Sequence, residues 1–288
     1  MNDEPLPHSL AEYVAASVGD ALTEDVGPGD LTAALVPPDQ WVTARIVARD
    51  AGIVCGQPWC DEVFRQIDPS VEITWRASEG AALTAGDNLC EIYGPARAVL
   101  TGERTALNFL QLLSATATHA RRYVDAVHGS NATILDTRKT IPGLRLAQKY
   151  AVRVGGASNH RIGLYDAILI KENHIAAAGG IQAAVDSAIG RAGDVLIELE
   201  VENLAQLAEG LRSGAQRLLL DNFTVEDLAA AVESRNSSAA GVELEASGGI
   251  TLENVRAVAE TGVDFVSVGA LTKDIEAIDL SMRIDEFD

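Results

Sequence analysis

The sequence predicts an α/β protein of two modules, and three observations predict it. Six short Val/Ile/Leu-rich runs recur through the second half, each ending in polar or glycine residues and followed by a helical stretch. Their starts lie about 23–34 residues apart, the length of one strand–helix unit. The first half lacks that grammar and mixes helical segments with strands set between glycine-rich turns.

The first module opens with helical character over 8–22. Residues 41–49, Trp41-Val42-Thr43-Ala44-Arg45-Ile46-Val47-Ala48-Arg49, are strand-like, as are 71–76 and 88–93, with turns around Gly52, Gly56, Gly80 and Gly86. Helices are expected over 96–113 and 117–128, and the mixed α+β module spans 1–115. The six runs are Thr133-Ile134-Leu135, Ala167-Ile168-Leu169-Ile170, Val195-Leu196-Ile197, Leu218-Leu219-Leu220, Val242-Glu243-Leu244 and Phe265-Val266-Ser267-Val268. Such composition suits strands buried on both faces. Amphipathic segments at 179–191, 202–212, 225–235 and 252–261 lie between them, with Gly193, Gly214 and Gly262 as stops. Repeated βα units imply a parallel sheet with right-handed crossovers, either an open doubly wound sheet or a closed barrel.

The chain has 288 residues, 47% apolar and 22% charged, which excludes wholesale disorder. No apolar run approaches a membrane span, and the acidic Met1-Asn2-Asp3-Glu4-Pro5 start, without an apolar h-region, is not expected to act as a secretory signal. Cys55, Cys60 and Cys90, odd in number and without a C-x-x-C, read as reduced thiols of a cytoplasmic protein. A net charge of −20 argues against nucleic acid and anionic membranes as partners. Yet residues 136–174 hold seven cations (Arg138, Lys139, Arg145, Lys149, Arg153, Arg161, Lys171) against three acids. Three of the chain's four lysines lie there. A basic island in an acidic chain points to a small, highly charged anion, or else to surface ion pairs.

In a βα barrel the active site lies at the C-terminal strand ends. The residues that follow the runs are Asp136-Thr137-Arg138-Lys139, Lys171, Glu200, Asp221, Ser247-Gly248-Gly249 and Gly269. Arg138, Lys139 and Lys171 suit phosphates or carboxylates. Glu200 and Asp221 are hard oxygen ligands of the kind Mg²⁺ takes together with substrate phosphates. Ser247-Gly248-Gly249 and Val268-Gly269-Ala270 each precede a helix and offer backbone N–H groups to a phosphate. Taken singly, Glu200 or Asp221 reads as a cap, Lys171 as a salt bridge and Gly248-Gly249 as a turn; their joint occurrence carries the reading. Glu198 shares strand parity with Glu200, so it points into the barrel and pairs with a cation. The P-loop, dinucleotide fingerprint, H-E-x-x-H and G-x-S-x-G motifs are all absent.

The stretch Asp136-Thr137-Arg138-Lys139-Thr140-Ile141-Pro142-Gly143-Leu144-Arg145 resembles the signature of the quinolinate phosphoribosyltransferases. The likeness continues through Lys149-Tyr150-Ala151, Gly155-Gly156, Asn159-His160-Arg161 and Asp166 to His174. Glu198 to Val201, Leu220-Asp221-Asn222-Phe223, Glu245 to Ile250 and Ser267 to Thr272 follow in order. Upstream, Asp25-Val26-Gly27, Gly29-Asp30-Leu31-Thr32 and Glu103 to Asn108 fit the same family. Two positions depart from it: Ala115 where the family usually has Gly, and Lys273 where His is common.

The resemblance implies an N-terminal α/β sandwich over 1–115, an incomplete α/β barrel of about six strands over 116–272, and a segment, 273–288, that returns towards the sandwich. It also implies a homodimer in which Arg104 reaches the partner's site. The implied reaction joins quinolinate to 5-phosphoribosyl-1-pyrophosphate. It releases pyrophosphate and CO₂ and forms nicotinate mononucleotide, in de novo NAD synthesis. Arg104, Arg138, His160, Arg161 and Lys171 would hold quinolinate. Thr137 and Lys139, with Glu200 and Asp221 through Mg²⁺, would serve the ribose and pyrophosphate, and Ser247 to Gly249 with Val268 to Ala270 the 5-phosphate. The alternatives are a paralogue of the same fold with another aromatic substrate, a Schiff-base aldolase using Lys171, and a non-catalytic anion binder.

Overall fold

The computed structural model describes residues 10–287. The start of the helix read over 8–22, His8 and the acidic N-terminus lie outside them. Helix α1 (Leu10–Val26) buries Val14 and Val18. Strand β1 (Trp41–Ala48) alternates, with Val42, Ala44, Ile46 and Ala48 buried. Strand β2 (Gly52–Ile53) follows, then helix α2 (Gln57–Ile67). Gly56 and Pro58 disguise α2 as a turn in the sequence. In the fold Gly56 precedes the helix and Pro58 sits in its first turn, where no intrahelical N–H is lost. Strands β3 (Glu72–Trp75), β4 (Ala82–Leu83) and β5 (Asn88–Pro95) complete this stretch.

Helix α3 (Ala96–Ala126) is continuous, where the sequence suggests two helices parted at 114–116. The Ser-Ala-Thr triplet does not break it, because its hydroxyls bond outward and backward. Buried Ser114 Oγ accepts from the Cys55 N–H at 2.9 Å and donates to the Cys55 carbonyl at 3.1 Å. Thr116 Oγ1 donates to the Leu112 carbonyl one turn earlier.

The second half runs β6 (Thr133–Leu135), α4 (Arg145–Val154), β7 (Ala167–Ile170), α5 (Glu172–Ala178), α6 (Ile181–Ala192) and β8 (Leu196–Val201). Then come α7 (Leu204–Ser213), β9 (Arg217–Asp221), α8 (Val225–Ser238), β10 (Glu243–Ser247) and α9 (Val255–Glu260). Strand β11 (Phe265–Ser267), α10 (Ala270–Lys273) and β12 (Leu280–Phe287) close the chain. Among the described residues no helix is long and apolar enough to cross a membrane.

These elements form two compact units. The first takes residues up to 119, 141–155 and the chain from Asp274. Its antiparallel sheet has the order β12-β1-β5-β3, and β2 pairs with β4. Trp59 lies at its core against the rings of Tyr13, Phe109 and Tyr150. The second unit, 120–140 and 156–273, is built on a parallel sheet of order β6-β11-β10-β9-β8-β7. The first strand thus pairs with the last, and the cycle is interrupted only between β6 and β7: an incomplete six-stranded α/β barrel. Chain at 158–160 runs beside β6 at that interruption, with Ser158 bridging to Leu135.

Candidate active site

Strand parity sorts the barrel's residues. Leu199 and Leu218 both reach towards Gly210 of α7, so this face of the sheet meets the helices. Glu198, Arg217 and Glu243 lie level in the ladder, as do Glu200, Leu219 and Glu245, and this opposite face points inward. The barrel is therefore apolar outside and charged inside, and its inner charges need partners.

The interruption between β6 and β7 supplies them. Asp136, fully buried after β6, accepts from Asn159 Nδ2 at 2.7 Å and from the His160 N–H at 2.8 Å. This carboxylate fixes the segment that carries His160 and Arg161. The two carboxylate oxygens of Asp166 accept from the N–H groups of Ile162 and Gly163 and close the following turn. Arg161 donates to the Ala167 carbonyl at 3.3 Å. Its guanidinium is held below its ordinary pKa, first by burial and then by the positive charge of Arg138. The charge of Arg138 thus reaches Arg161 in a half-buried place, opposed by the carboxylates of Glu198 and Asp166.

His160 stands on a buried acid pair. Its Nε2 lies 2.9 Å from Glu198 Oε2 and 3.5 Å from Glu245 Oε1. Arg217 NH1 approaches Glu245 Oε2 at 3.5 Å while its Nε and NH2 donate to Glu243. Glu198 and Glu245 are fully buried and face each other, and besides these ion-pair contacts the Ser267 hydroxyl reaches Glu245. Burial, then the neighbouring Glu198 charge, pushes the Glu245 carboxyl up to about 8. Burial also raises Glu198. One proton shared by the pair supplies the hydrogen bond between them.

The three groups lie close enough together to resemble a metal centre. Proton placement argues otherwise. His160 Nδ1 accepts the Arg161 N–H at 2.7 Å, so a neutral ring carries its proton on Nε2, facing the carboxylates where a metal would need a lone pair. Both ring nitrogens are therefore engaged inside the protein.

The remaining strand ends follow in order. Lys171, after β7, sets its Nζ 2.6 Å from Glu200 Oε2 on β8. Asp221 ends β9 in register with Ser247, which ends β10. Gly248 and Gly249 both take positive φ. Helix α9 starts at Val255, not 252, so residues 250–254 separate this loop from the helix; its free N–H groups belong to the loop itself. Thr137 Oγ1 accepts the Lys139 N–H, and Thr272 Oγ1 donates to the Lys139 carbonyl. The Lys139 side chain lies across Gly269, where an added Cβ would come within 3.1 Å of its Cδ. The loop after β6 and Val268-Gly269-Ala270 thus form one end of the opening, beside each other because β6 pairs with β11.

The basic window divides. Arg138, Lys139, Arg161 and Lys171 belong to the barrel unit, whereas Arg145, Lys149 and Arg153 lie on α4 in the first unit. Amphipathic α4 there buries Ala147, Gln148, Lys149, Ala151 and Val152. Arg104 is exposed on α3, also in the first unit, and lines a hollow with Asp30, Leu31 and Thr101. The sequence reading placed Glu198 inward and missed Glu245 and Arg217. Strand parity with Ser247 and Leu219 was the available signal for both.

Comparison with known proteins fits these observations. Family models described as quinolinate phosphoribosyl transferase match the chain, the N-terminal domain over residues 30–114 and the C-terminal domain over 116–283. A probable nicotinate-nucleotide pyrophosphorylase [carboxylating] of Bacillus subtilis is 43% identical over 265 residues, covering 91% of this chain and 90% of the relative. The nicotinate-nucleotide pyrophosphorylase [carboxylating] of Mycobacterium leprae is 44% identical, covering 96% and 99%. The solved structure of the Francisella tularensis nicotinate-nucleotide pyrophosphorylase superposes with a TM-score of 0.93 at 45% identity, covering 99% of this chain and all of that one.

Proposed function

The chain belongs to the quinolinate phosphoribosyltransferase family, and from that premise we propose how its residues divide the work. It is a pentosyltransferase of NAD biosynthesis. It transfers the phosphoribosyl group of 5-phosphoribosyl-1-pyrophosphate to quinolinate with loss of CO₂, giving nicotinate mononucleotide. The observation that carries the substrate reading is the Arg138–Arg161 pair. Two half-buried guanidiniums, with Lys171 at the neighbouring strand end, offer more positive charge than one carboxylate needs and suit two.

Arg138, Arg161 and Lys171 hold the quinolinate carboxylates, joined by Arg104 from a second copy of the chain. His160 belongs to the same pocket, and with both ring nitrogens engaged we assign it the placing of Arg161. Thr137 and Lys139 face the ribose and pyrophosphate. Ser247, Gly248 and Gly249, with Val268, Gly269 and Ala270, cradle the 5-phosphate by backbone N–H groups.

Glu200 and Asp221 fit Mg²⁺ by donor chemistry. They are hard carboxylates at the ends of adjacent strands, and Glu200 already faces a cation, the Lys171 ammonium. Mg²⁺ bound there would neutralise charge on the departing pyrophosphate. The protein supplies orientation. It holds the pyridine nitrogen in line with C1′ as the bond from C1′ to pyrophosphate breaks. The new C1′–N bond leaves the ring nitrogen positive. When the C2–carboxylate bond then breaks, its electron pair is stabilised beside that nitrogen, CO₂ departs, and C2 takes a proton. No covalent enzyme intermediate is needed.

A homodimer is part of this reading. Leu31, which lines the same hollow as Arg104, is 89% exposed, and Leu35, four residues on, is 83% exposed, apolar surface suited to a second copy. Free, buried Cys55, Cys60 and Cys90 support a reducing, cytoplasmic setting. The test is to supply Mg²⁺, phosphoribosyl pyrophosphate and either quinolinate or nicotinate, and to follow pyrophosphate and CO₂. Matched release of both with quinolinate alone is expected; pyrophosphate release with nicotinate alone would point to the same-fold paralogue.

A further inference from the structure

Asn222 is the one non-glycine residue with positive φ among the described residues, at +56°. Asparagine tolerates this conformation better than other side-chain-bearing residues, so the backbone alone would be an ordinary turn. What the conformation achieves is specific. The Asn222 side chain turns back, and its Nδ2 donates to Asp221 Oδ2 at 2.8 Å. Its N–H donates to the Ser247 carbonyl on the neighbouring strand, also at 2.8 Å. Its amide oxygen lies against Gly248: a Cβ there would stand 2.2 Å from Oδ1. Gly248 has φ +93°, so it is glycine for both space and conformation. Asn222 therefore holds the carboxylate at the end of β9 by its side-chain amide and the end of β10 by its backbone N–H, with its amide oxygen packed against the glycine loop.

We propose that Asn222 is a positioning residue for the phosphoribosyl donor, setting the Asp221 carboxylate and the Ser247–Gly249 loop at a fixed separation. This inference rests on the reading that Asp221 serves the pyrophosphate side of the donor and the glycine loop its 5-phosphate. Those two groups sit on opposite ends of one ribose, so their receptors must be spaced to match it. Strand pairing sets the Cα positions of Asp221 and Ser247, but not the carboxylate rotamer or the path of Gly248. Asn222 settles both. The amide donates to Asp221 and leaves the other carboxylate oxygen, Oδ1, uncommitted to it, and the amide oxygen bars Gly248 from approaching further. Quinolinate, held by Arg138 and Arg161 at the other side of the barrel order, is not addressed by this contact.

The experiment compares Asn222→Gly with Asn222→Ala. Glycine keeps the backbone conformation at no steric cost and removes the amide; alanine removes the amide and strains the turn. Both variants should raise KM for phosphoribosyl pyrophosphate about tenfold, the scale of one hydrogen bond to a charged group. KM for quinolinate should stay within about twofold of the parent. Titration calorimetry with pyrophosphate in Mg²⁺, which reads binding without turnover, should show the same loss. Only Asn222→Ala should lower Tm. If Asn222→Gly binds pyrophosphate and the donor like the parent, the positioning role is wrong, and equal rises in both KM values would make it merely structural. Failure of the parent protein to turn over quinolinate at all would instead overturn the reading on which the inference rests.

Discussion

Arg161 feels burial and the positive charge of Arg138, which Glu198 and Asp166 oppose, and in the proposed reading a substrate carboxylate adds to that compensation. Arg161→Lys keeps a charge but loses the planar fork that can grip a carboxylate with two hydrogen bonds. It should raise KM for quinolinate about 10- to 100-fold, by the scale of one charge-assisted contact, and leave KM for the donor unchanged. Steady-state kinetics with each substrate varied in turn checks this. A second prediction concerns Glu245. Its folded pKa, about 8, lies above its ordinary value of 4.5, so the folded state holds a proton that the unfolded chain releases. Stability is therefore greatest below the unfolded value and falls as pH rises between about 4.5 and 8. Glu245→Gln should flatten that fall in Tm, as measured by thermal melts from pH 5 to 8. Strand-end residues such as Lys171 and Glu200 were legible, because parity and position follow from short apolar runs. The His160 cluster was not, because its members come from β8, β10 and a loop, and only barrel closure brings them together.

At the scale of elements, α3 shows how side-chain chemistry overrides a local signal. Ser114 and Thr116 read as a break, yet Ser114 saturates the backbone of buried Cys55 from within the helix. Ser114→Ala would strand that N–H and carbonyl and should cost about 1–3 kcal/mol, measured by urea denaturation. Loss below about 0.5 kcal/mol would mean that water or relaxation replaces the clamp. The barrel strands were legible because burial on both faces leaves continuous apolar runs. Helices α2 and α4 were not. In α2 the Gly56-Gln57-Pro58 start imitates a turn. In α4 the charged stretch masks an apolar stripe, and tertiary partners in the first unit decide where it goes. Neither choice can be read from neighbours in sequence.

At the scale of the whole molecule, a net charge of −20 repels itself. Raising NaCl from about 10 to 150 mM shortens the Debye length from about 30 to 8 Å and should raise Tm. The proposed dimer makes a sharper demand. Arg104→Ala and Lys171→Ala chains, each inactive alone, should regain up to about a quarter of parental activity when mixed under exchange, because half the dimers are hybrids and each hybrid has one intact site. No recovery would place Arg104 outside the partner's site. The central claim is that cationic strand ends select a dianion. Its most direct measurement is equilibrium binding of quinolinate and nicotinate to the parent protein and to Arg161→Lys. The account predicts that quinolinate binds the parent about a hundredfold more tightly than nicotinate does, and that Arg161→Lys loses most of that margin. Equal affinity for the two acids in the parent protein would contradict it.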